Sequence, residues 1–338
     1  MNLLFVSNSE LNSFTNICYC VLAMPKHVKW KILGNREFHK ELISLFGQDR
    51  FVHIPILKLK EHIQDEHIPF EFLATLSEKH IIIPTDFQSL KFISKNKKNF
   101  KGHIVCRLMD SSWLLYLDDK KNMKKVAEDC GVRSPLEYSF TKSSKLPSGH
   151  RLVVKPHLGD GSSGVFISED KEQAVDYYEQ LTPENKQKHI IQDFIEGRDF
   201  YYYGICYEGK ILVSSIIVPG RFKHFGTYFT ENASVDENAK KIVAHYKYSG
   251  PISIDYRIDK KSKEVYLIEI NPRNGNNSYL FNVAHSNWLF ELAKISENPA
   301  TYTHTHKITI NKWVCIFKLG MLYCFNKLKL YKVWGKFV

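Results

Sequence analysis

The run Val265-Tyr266-Leu267-Ile268-Glu269-Ile270-Asn271-Pro272-Arg273 begins apolar and ends in an acid, an amide, a proline and an arginine. Its apolar part has strand character, and side chains two apart on a strand share a face, so Glu269 and Asn271 stand side by side. A carboxylate and an amide oxygen at a strand end can hold Mg²⁺, a hard cation that takes oxygen ligands. Arg273, just beyond, has the planar fork that clamps a phosphoryl or acyl-phosphate oxygen. A core strand that merely ends in polar residues is the blander reading. Asp255, in Ser253-Ile254-Asp255-Tyr256, weighs toward chemistry. Antiparallel pairing of 252–258 with 264–270 would bring it near Glu269, and two close carboxylates repel unless a cation or a proton lies between them. An isolated Asp255 would more often be a solvated face residue.

A second set of residues lies upstream. Gly159-Asp160-Gly161-Ser162-Ser163-Gly164 is a loop whose successive N–H groups can form an anion nest. It lacks the Walker A pattern, and a glycine–serine turn alone is weak evidence. Lys155, flanked by Val153, Val154 and Pro156, is either an edge residue or a cation aimed at a ligand. Arg221, Lys223 and His224 could hold an acidic substrate or belong to a solvated connector. Asn274 to Ser278 could line the same pocket. Thr85 and Asp86 end a predicted strand on the expected ligand side of an α/β sheet. Each of these also reads as a structural turn residue.

The elements that must position these residues follow from pattern. Leu3–Val6, Lys31–Gly34, Phe51–Pro55, Ile81–Pro84 and Ile104–Cys106 read as short buried strands, with a helix over Glu71–Lys79. Strands alternating with helices predict an open α/β layer over 1–108. No G-x-G-x-x-G follows the first strand, which excludes a dinucleotide fingerprint there. Asp119–Cys130 reads as an amphipathic helix capped by Gly131. Leu152–Pro156 and Val165–Ser168 flank the glycine loop as a hairpin. A helix over Lys171–Gln180, a strand over Ile190–Ile195, two strands turning at Glu208-Gly209, a helix over Asn238–His245 and the hairpin 252–270 complete a mixed α+β region over about 109–300.

These pieces together resemble the ATP-grasp superfamily over about residues 110–285. Four ordered motifs carry the resemblance: Asp119-Lys120-x-x-x-Lys124, Val154-Lys155-Pro156 with its loop, Gln192-Asp193-Phe194-Ile195-Glu196-Gly197-Arg198-Asp199, and Asp255 with Glu269-x-Asn271-Pro272-Arg273. The fold implied is a pre-ATP-grasp open parallel-sheet domain (1–108), then a two-lobed ATP-grasp fold (109–300; small lobe about 125–195, large lobe about 196–300) and a tail (301–338). The resemblance implies that Lys124 and Lys155 grip nucleotide phosphates, with Lys120, Lys121 and Lys125 near the first of them. Gly161, Ser162, Ser163 and Gly164 would form the lid. Gln192, Asp193, Phe194 and Ile195 would hold adenine, and Asp199 the ribose. Asp255, Glu269 and Asn271 would bind Mg²⁺, or Mn²⁺ in its place. Arg273 would contact phosphate. Some ligases carry an arginine two residues before the first metal-binding acid; Ser253 stands there, so Arg257 or Arg221 is expected to share that role. The implied activity is ATP-dependent ligation of a small carboxylate to an amine through an acyl-phosphate, releasing ADP and phosphate. A nucleotide-binding module without ligation and a phosphotransferase are the alternatives.

The net charge of +11 comes from 47 basic and 36 acidic side chains. Seven lysines and no acid fall within 301–338, so the body is only mildly basic, which argues against a nucleic-acid partner. The mixture of lysine with Trp313, Phe317, Trp334 and Phe337 over 305–338 is that of an interfacial helix. Peripheral contact with a membrane, packing on the body and a dimer contact are the readings open for it. The seven cysteines are scattered and read as buried free thiols in a reducing compartment. The N-terminus reads as carrying no signal peptide, and the protein as cytoplasmic. Family members are often dimers, which leaves a homodimer open.

Overall fold

The computed structural model describes residues 1–7, 16–18, 20–21, 23–34, 43, 47–53, 73, 76–138, 151–159, 163–220, 227–275, 278–284, 286–311 and 313. Five parallel strands open the chain: β1 (Asn2–Val6), β2 (Lys29–Gly34), β3 (Phe51–His53), β4 (Ile81–Pro84) and β5 (Ile104–Val105), in the order β3-β2-β1-β4-β5. Inner strands of a parallel sheet are covered on both faces, which is why they read as unbroken apolar runs. Leu3, Leu4, Phe5, Ile82 and Ile83 are accordingly fully buried. All five strands match the pattern in the sequence. Of the helix expected over Glu71–Lys79, residues 71, 72, 74 and 75 lie outside the described residues, Leu73 is in a 3-10 turn, and Leu76–Lys79 are not helical.

A four-stranded sheet follows, with β6 (Glu137–Tyr138), β7 (Leu152–Pro156), β8 (Phe166–Ile167) and β9 (His189–Asp193) in the order β6-β9-β7-β8. A helix, α4 in chain order (Lys171–Gln180), covers one face, and Tyr177 stacks on Phe166 with 4.2 Å between ring centroids. The third sheet carries β10 (Gly197–Tyr207), β11 (Lys210–Val218), β12 (Tyr228–Thr230), β13 (Gly250–Asp259) and β14 (Val265–Asn271), in the order β12-β11-β10-β13-β14. Glu208 (φ 47°) and Gly209 (φ 79°) make the tight turn between β10 and β11, the conformation a two-residue hairpin requires.

Its sixth strand, β15 (His306–Lys307), pairs in parallel with β11. The expected tail thus begins as part of the body: Thr305 Oγ1 donates to the Ile211 carbonyl at 2.7 Å, Ile308 is buried, and Lys307 Nζ lies 2.6 Å from Asp236 Oδ2. Trp313 is exposed, and residues 314–338 lie outside the described ones. Among the described residues no helix is long and apolar enough to cross a membrane.

Between the first two sheets run α2 (Ser111–Asp118), a 3-10 turn (Lys120–Asn122) and α3 (Met123–Cys130). Asp119 starts the turn by accepting the Lys121 N–H, and Gly131 ends α3 in the left-handed conformation at φ 61°. The sequence reading of one helix over Asp119–Cys130 is therefore a turn plus a helix, because the Asp119 side chain caps locally.

Candidate functional site

The hairpin β13–β14 places Asp255 opposite Glu269 and Ser253 opposite Asn271. Tyr201, on β10, stands opposite Asp255 from the other side. Asn271 Nδ2 donates to Glu269 Oε1 at 3.2 Å, which leaves the amide oxygen to serve as a donor atom for a cation. Burial alone would raise the Glu269 carboxyl, but the Lys120 ammonium, 3.0 Å from Oε2, holds it below the usual range. Burial, with Glu269 adding repulsion, pushes Asp255 well above the usual carboxylate range. Among the described residues no three His, Cys, Asp or Glu side chains converge on one point; the donor set is two carboxylates and an amide oxygen. An ammonium already seated on Glu269 and a neighbouring acid that is costly to ionise alone both fit a site for a hard divalent cation.

Lys155 projects from β7 and is 7% exposed. Burial pushes its ammonium down to about 8, with Lys120 acting the same way and Glu269, Glu137 and Asp255 pulling back. Lys120, the first residue of the 3-10 turn into α3, bridges the two halves of the site: Nζ donates to the Gly159 carbonyl at 2.7 Å while pairing with Glu269. Its backbone is pinned by the His157 carbonyl at 3.0 Å, and His157 Nδ1 meets Asp119 Oδ1 at 2.7 Å. Lys124, the sequence candidate, is exposed one turn further on, and its charge is felt at Glu137. Ser163 and Gly164 are exposed beside β8; Gly164 takes φ 71°, and a Cβ there would approach Pro156 Cγ to 3.0 Å. Gly161, Ser162 and Arg221 lie outside the described residues.

Arg273 is held from two sides. Its guanidinium lies 2.5 Å from Asp118 Oδ1 and over the Phe87 ring at 5.2 Å. Burial raises the Asp118 carboxyl, and Arg273 opposes that. Arg257, one of the two cations expected to assist, is instead committed to the segment after β9. Its Nη1 donates to Asp199 Oδ1 at 3.0 Å, its Nη2 donates to the Gly197 carbonyl at 3.3 Å, and it stacks on Phe194 at 4.7 Å. Register explains this, because Arg257 pairs directly with Asp199 on β10.

Gln192 is buried on β9 and donates from Nε2 to Glu137 Oε2 at 3.3 Å. Asp193 turns to the opposite face of the sheet, where Tyr138 donates to it at 2.8 Å. Phe194 N–H donates to the Arg151 carbonyl at 2.9 Å, and Ile195 follows in the turn to β10.

The structural reading holds for several other candidates. Asp86 caps α1 (Phe87–Lys95) in a reciprocal box with Ser89, and Thr85 Oγ1 donates to the Val6 carbonyl at 2.9 Å. Asn274 ties the third sheet to the first, donating to the Pro84 carbonyl at 2.8 Å, and Ser278 donates to Asn16 at 2.9 Å. Four residues that sequence reasoning left unassigned now border the site: Asp118, Glu137, His157 and Tyr201. None of the four had a local signal, whereas Lys120 had one in the Asp119-Lys120 pair that opens the first motif.

Residues 117–276 match the family model of the ATP-grasp domain. The carbamoyl-phosphate synthase of Methanobrevibacter smithii is 23% identical over 178 residues, which is 48% of this chain and 47% of that protein. The chain thus spans about half the length of that curated relative. The L-amino acid ligase from Bacillus licheniformis shares the fold with a TM-score of 0.56 and 16% identity, over 88% of this chain and 74% of that one. The biotin carboxylase domain dimer of the Hydrogenobacter thermophilus 2-oxoglutarate carboxylase, in complex with MgADP, ADP and bicarbonate, does so with a TM-score of 0.57 and 13% identity, over 87% of this chain and 69% of that one.

Proposed function

Because residues 117–276 match the model of the ATP-grasp domain, we propose that this protein is an ATP- and Mg²⁺-dependent ligase. It activates a small carboxylate as an acyl-phosphate, joins it to an amine and releases ADP and phosphate. One observation carries this reading: two lysines from separate elements, Lys120 and Lys155, converge on the paired carboxylates Asp255 and Glu269. The fold shared with an amino acid ligase and with a carboxylase domain holding MgADP supports it. In this reading the five-stranded sheet of 1–108 is the pre-ATP-grasp domain.

Phosphoryl transfer needs alignment and cancellation of spread negative charge more than covalent help. Lys155 and Lys120 supply that charge from the small-sheet side, Lys120 leaving Glu269 as a phosphate arrives. Asp255, Glu269 and the Asn271 amide oxygen would hold Mg²⁺, which when bound neutralises charge on the phosphates. Arg273, braced by Asp118, offers its fork to the phosphoryl group or to the acyl-phosphate. Gly161, Ser162, Ser163 and Gly164 are assigned to the lid that excludes water from the mixed anhydride. Gln192 with the backbone at 193–195 is assigned to adenine, and Asp199 to the ribose.

The test is an ADP-release screen over pairs of amino acids, short peptides and sugar acids, with hydroxylamine as a trap. Acid-dependent hydroxamate with ADP is the expected result. ADP without hydroxamate would point to a phosphotransferase. Nucleotide binding without any ADP release would point to a binding module.

A further inference from the structure

The four-stranded sheet has one covered and one open face. Tyr138, Leu152, Val154, Phe166 and Ile191 pack toward α4. Their neighbours in the alternation, Glu137, Gln192, Val153, Lys155 and Ile167, take the other face, where Glu137 pairs with Gln192, Gln192 with Val153 and Val153 with Ile167. That face looks toward the carboxylate strands, since Lys155 feels Glu269 and Asp255. It changes character across its width. Ile167 is 41% exposed and Val153 half-buried, an apolar floor with no cover among the described residues. Beside it lies the hydrogen-bonding pair Gln192–Glu137. An apolar floor with a polar border suits a flat ring that is read along one edge.

A glutamine amide is ambivalent, with a donor and an acceptor that exchange by a flip, whereas an ionised carboxylate only accepts. With Nε2 drawn to Glu137 at 3.3 Å, the flip is settled: one of the two amide N–H bonds is spent there and the acceptor Oε1 is turned away from Glu137. We propose that Glu137 sets the base specificity of the nucleotide site by fixing the Gln192 amide, so that the site takes a base whose edge donates, adenine with its exocyclic amine, and rejects guanine, whose carbonyl stands there. The proposal rests on the nucleotide-site reading above and adds a residue that none of the four motifs contains. Burial pushes the Glu137 carboxyl up, and Gln192 with the charges of Lys124, Lys155 and Lys121 offsets only part of that rise. Glu137 acts through Gln192 and is a positioning residue.

The experiment is calorimetric binding of MgADP and MgGDP to the full chain and to the E137Q and E137M variants. The wild-type chain is expected to prefer ADP by about 10- to 100-fold, the cost of facing an acceptor with an acceptor in a buried site. E137Q, isosteric and able to donate or accept, is expected to bring the two nucleotides within about threefold while ADP affinity changes less. E137M should act in the same direction. A merely structural role would weaken both nucleotides together and leave their ratio intact, and that result overturns the proposal, as does a wild-type chain that binds GDP as tightly as ADP. Binding needs neither acid nor amine. Glu137-dependent selectivity in a chain that never ligates would therefore remove the ligase reading and keep this one, and a chain that binds neither nucleotide would lose both.

Discussion

The two sheets that face each other across the site are held by very different amounts of buried structure. The hairpin bearing Asp255 and Glu269 belongs to a core that runs from Leu3 in the first sheet to Ile308, and Ile254, Tyr256, Leu267 and Ile270 on it are at most 1% exposed. Among the described residues, the sheet bearing Lys155 and Gln192 closes on a cluster of four buried residues, Leu152, Val154, Ala174 and Ile191. Local opening is easiest where few apolar contacts oppose it. The acids proposed to hold the cation are therefore on the stiff side and the groups proposed to face phosphate and base on the soft side. A closing step needs this division: one half keeps its geometry while the other moves. Lys120 joins the halves, since it bonds the Gly159 carbonyl and Glu269 at once.

The largest expected effect tests the stiff side. Glu269→Ala should lower ADP release by at least about 10³-fold, the loss of several kcal/mol of charge stabilisation, with cooperative unfolding retained. Lys120→Ala should cost about 10²-fold and Lys124→Ala less than about threefold, because only Lys120 reaches across the cleft. Steady-state ADP release under saturating ATP measures all three. Equal losses for the two lysines would mean that the pairing of Lys120 with Glu269 is not what matters.

Stability separates the sheets next. Leu152 and Leu267 are both fully buried, and truncating either to alanine removes about 2–5 kcal/mol of packing. Leu267→Ala should lower the unfolding transition of the whole chain. Leu152→Ala should instead raise amide exchange within 137–193 and weaken ATP binding, with the rest of the chain protected as before. Identical exchange patterns for the two variants would show that the sheets open as one unit.

How far the sequence anticipates this arrangement depends on the range of the interaction. Unbroken apolar runs reveal the five parallel strands, and turn residues with local pattern reveal the turn at Glu208-Gly209 and the hairpin that sets Asp255 against Glu269. Asp86-x-x-Ser89 carries a capping pattern, which decides for the structural turn reading that the sequence left open beside a ligand role. Asp118 with Arg273, and Glu137 with Gln192, meet only through tertiary folding across 155 and 55 positions. No periodicity links such residues, and their roles emerge only when the sheets come together. Arg257 shows the same limit from the other side: a cation two residues from Asp255 is drawn to Asp199 by cross-strand pairing.

The smallest expected effect is the pH response of Lys155. Its folded-state pKa, about 8, lies below the ordinary 10.5. Between those values the unfolded chain holds the proton and the folded chain does not, so this group's contribution to stability rises with pH across that window. Function runs the opposite way, because only the ammonium can grip a phosphate. In the free enzyme kcat/KM for ATP should fall about tenfold per pH unit above about 8. Lys155→Arg, always charged, should flatten that limb at a lower overall rate, since a fork replaces a point charge. If the limb is equally steep in Lys155→Arg, another group titrates there, and the soft sheet's part in gripping phosphate passes to Lys120.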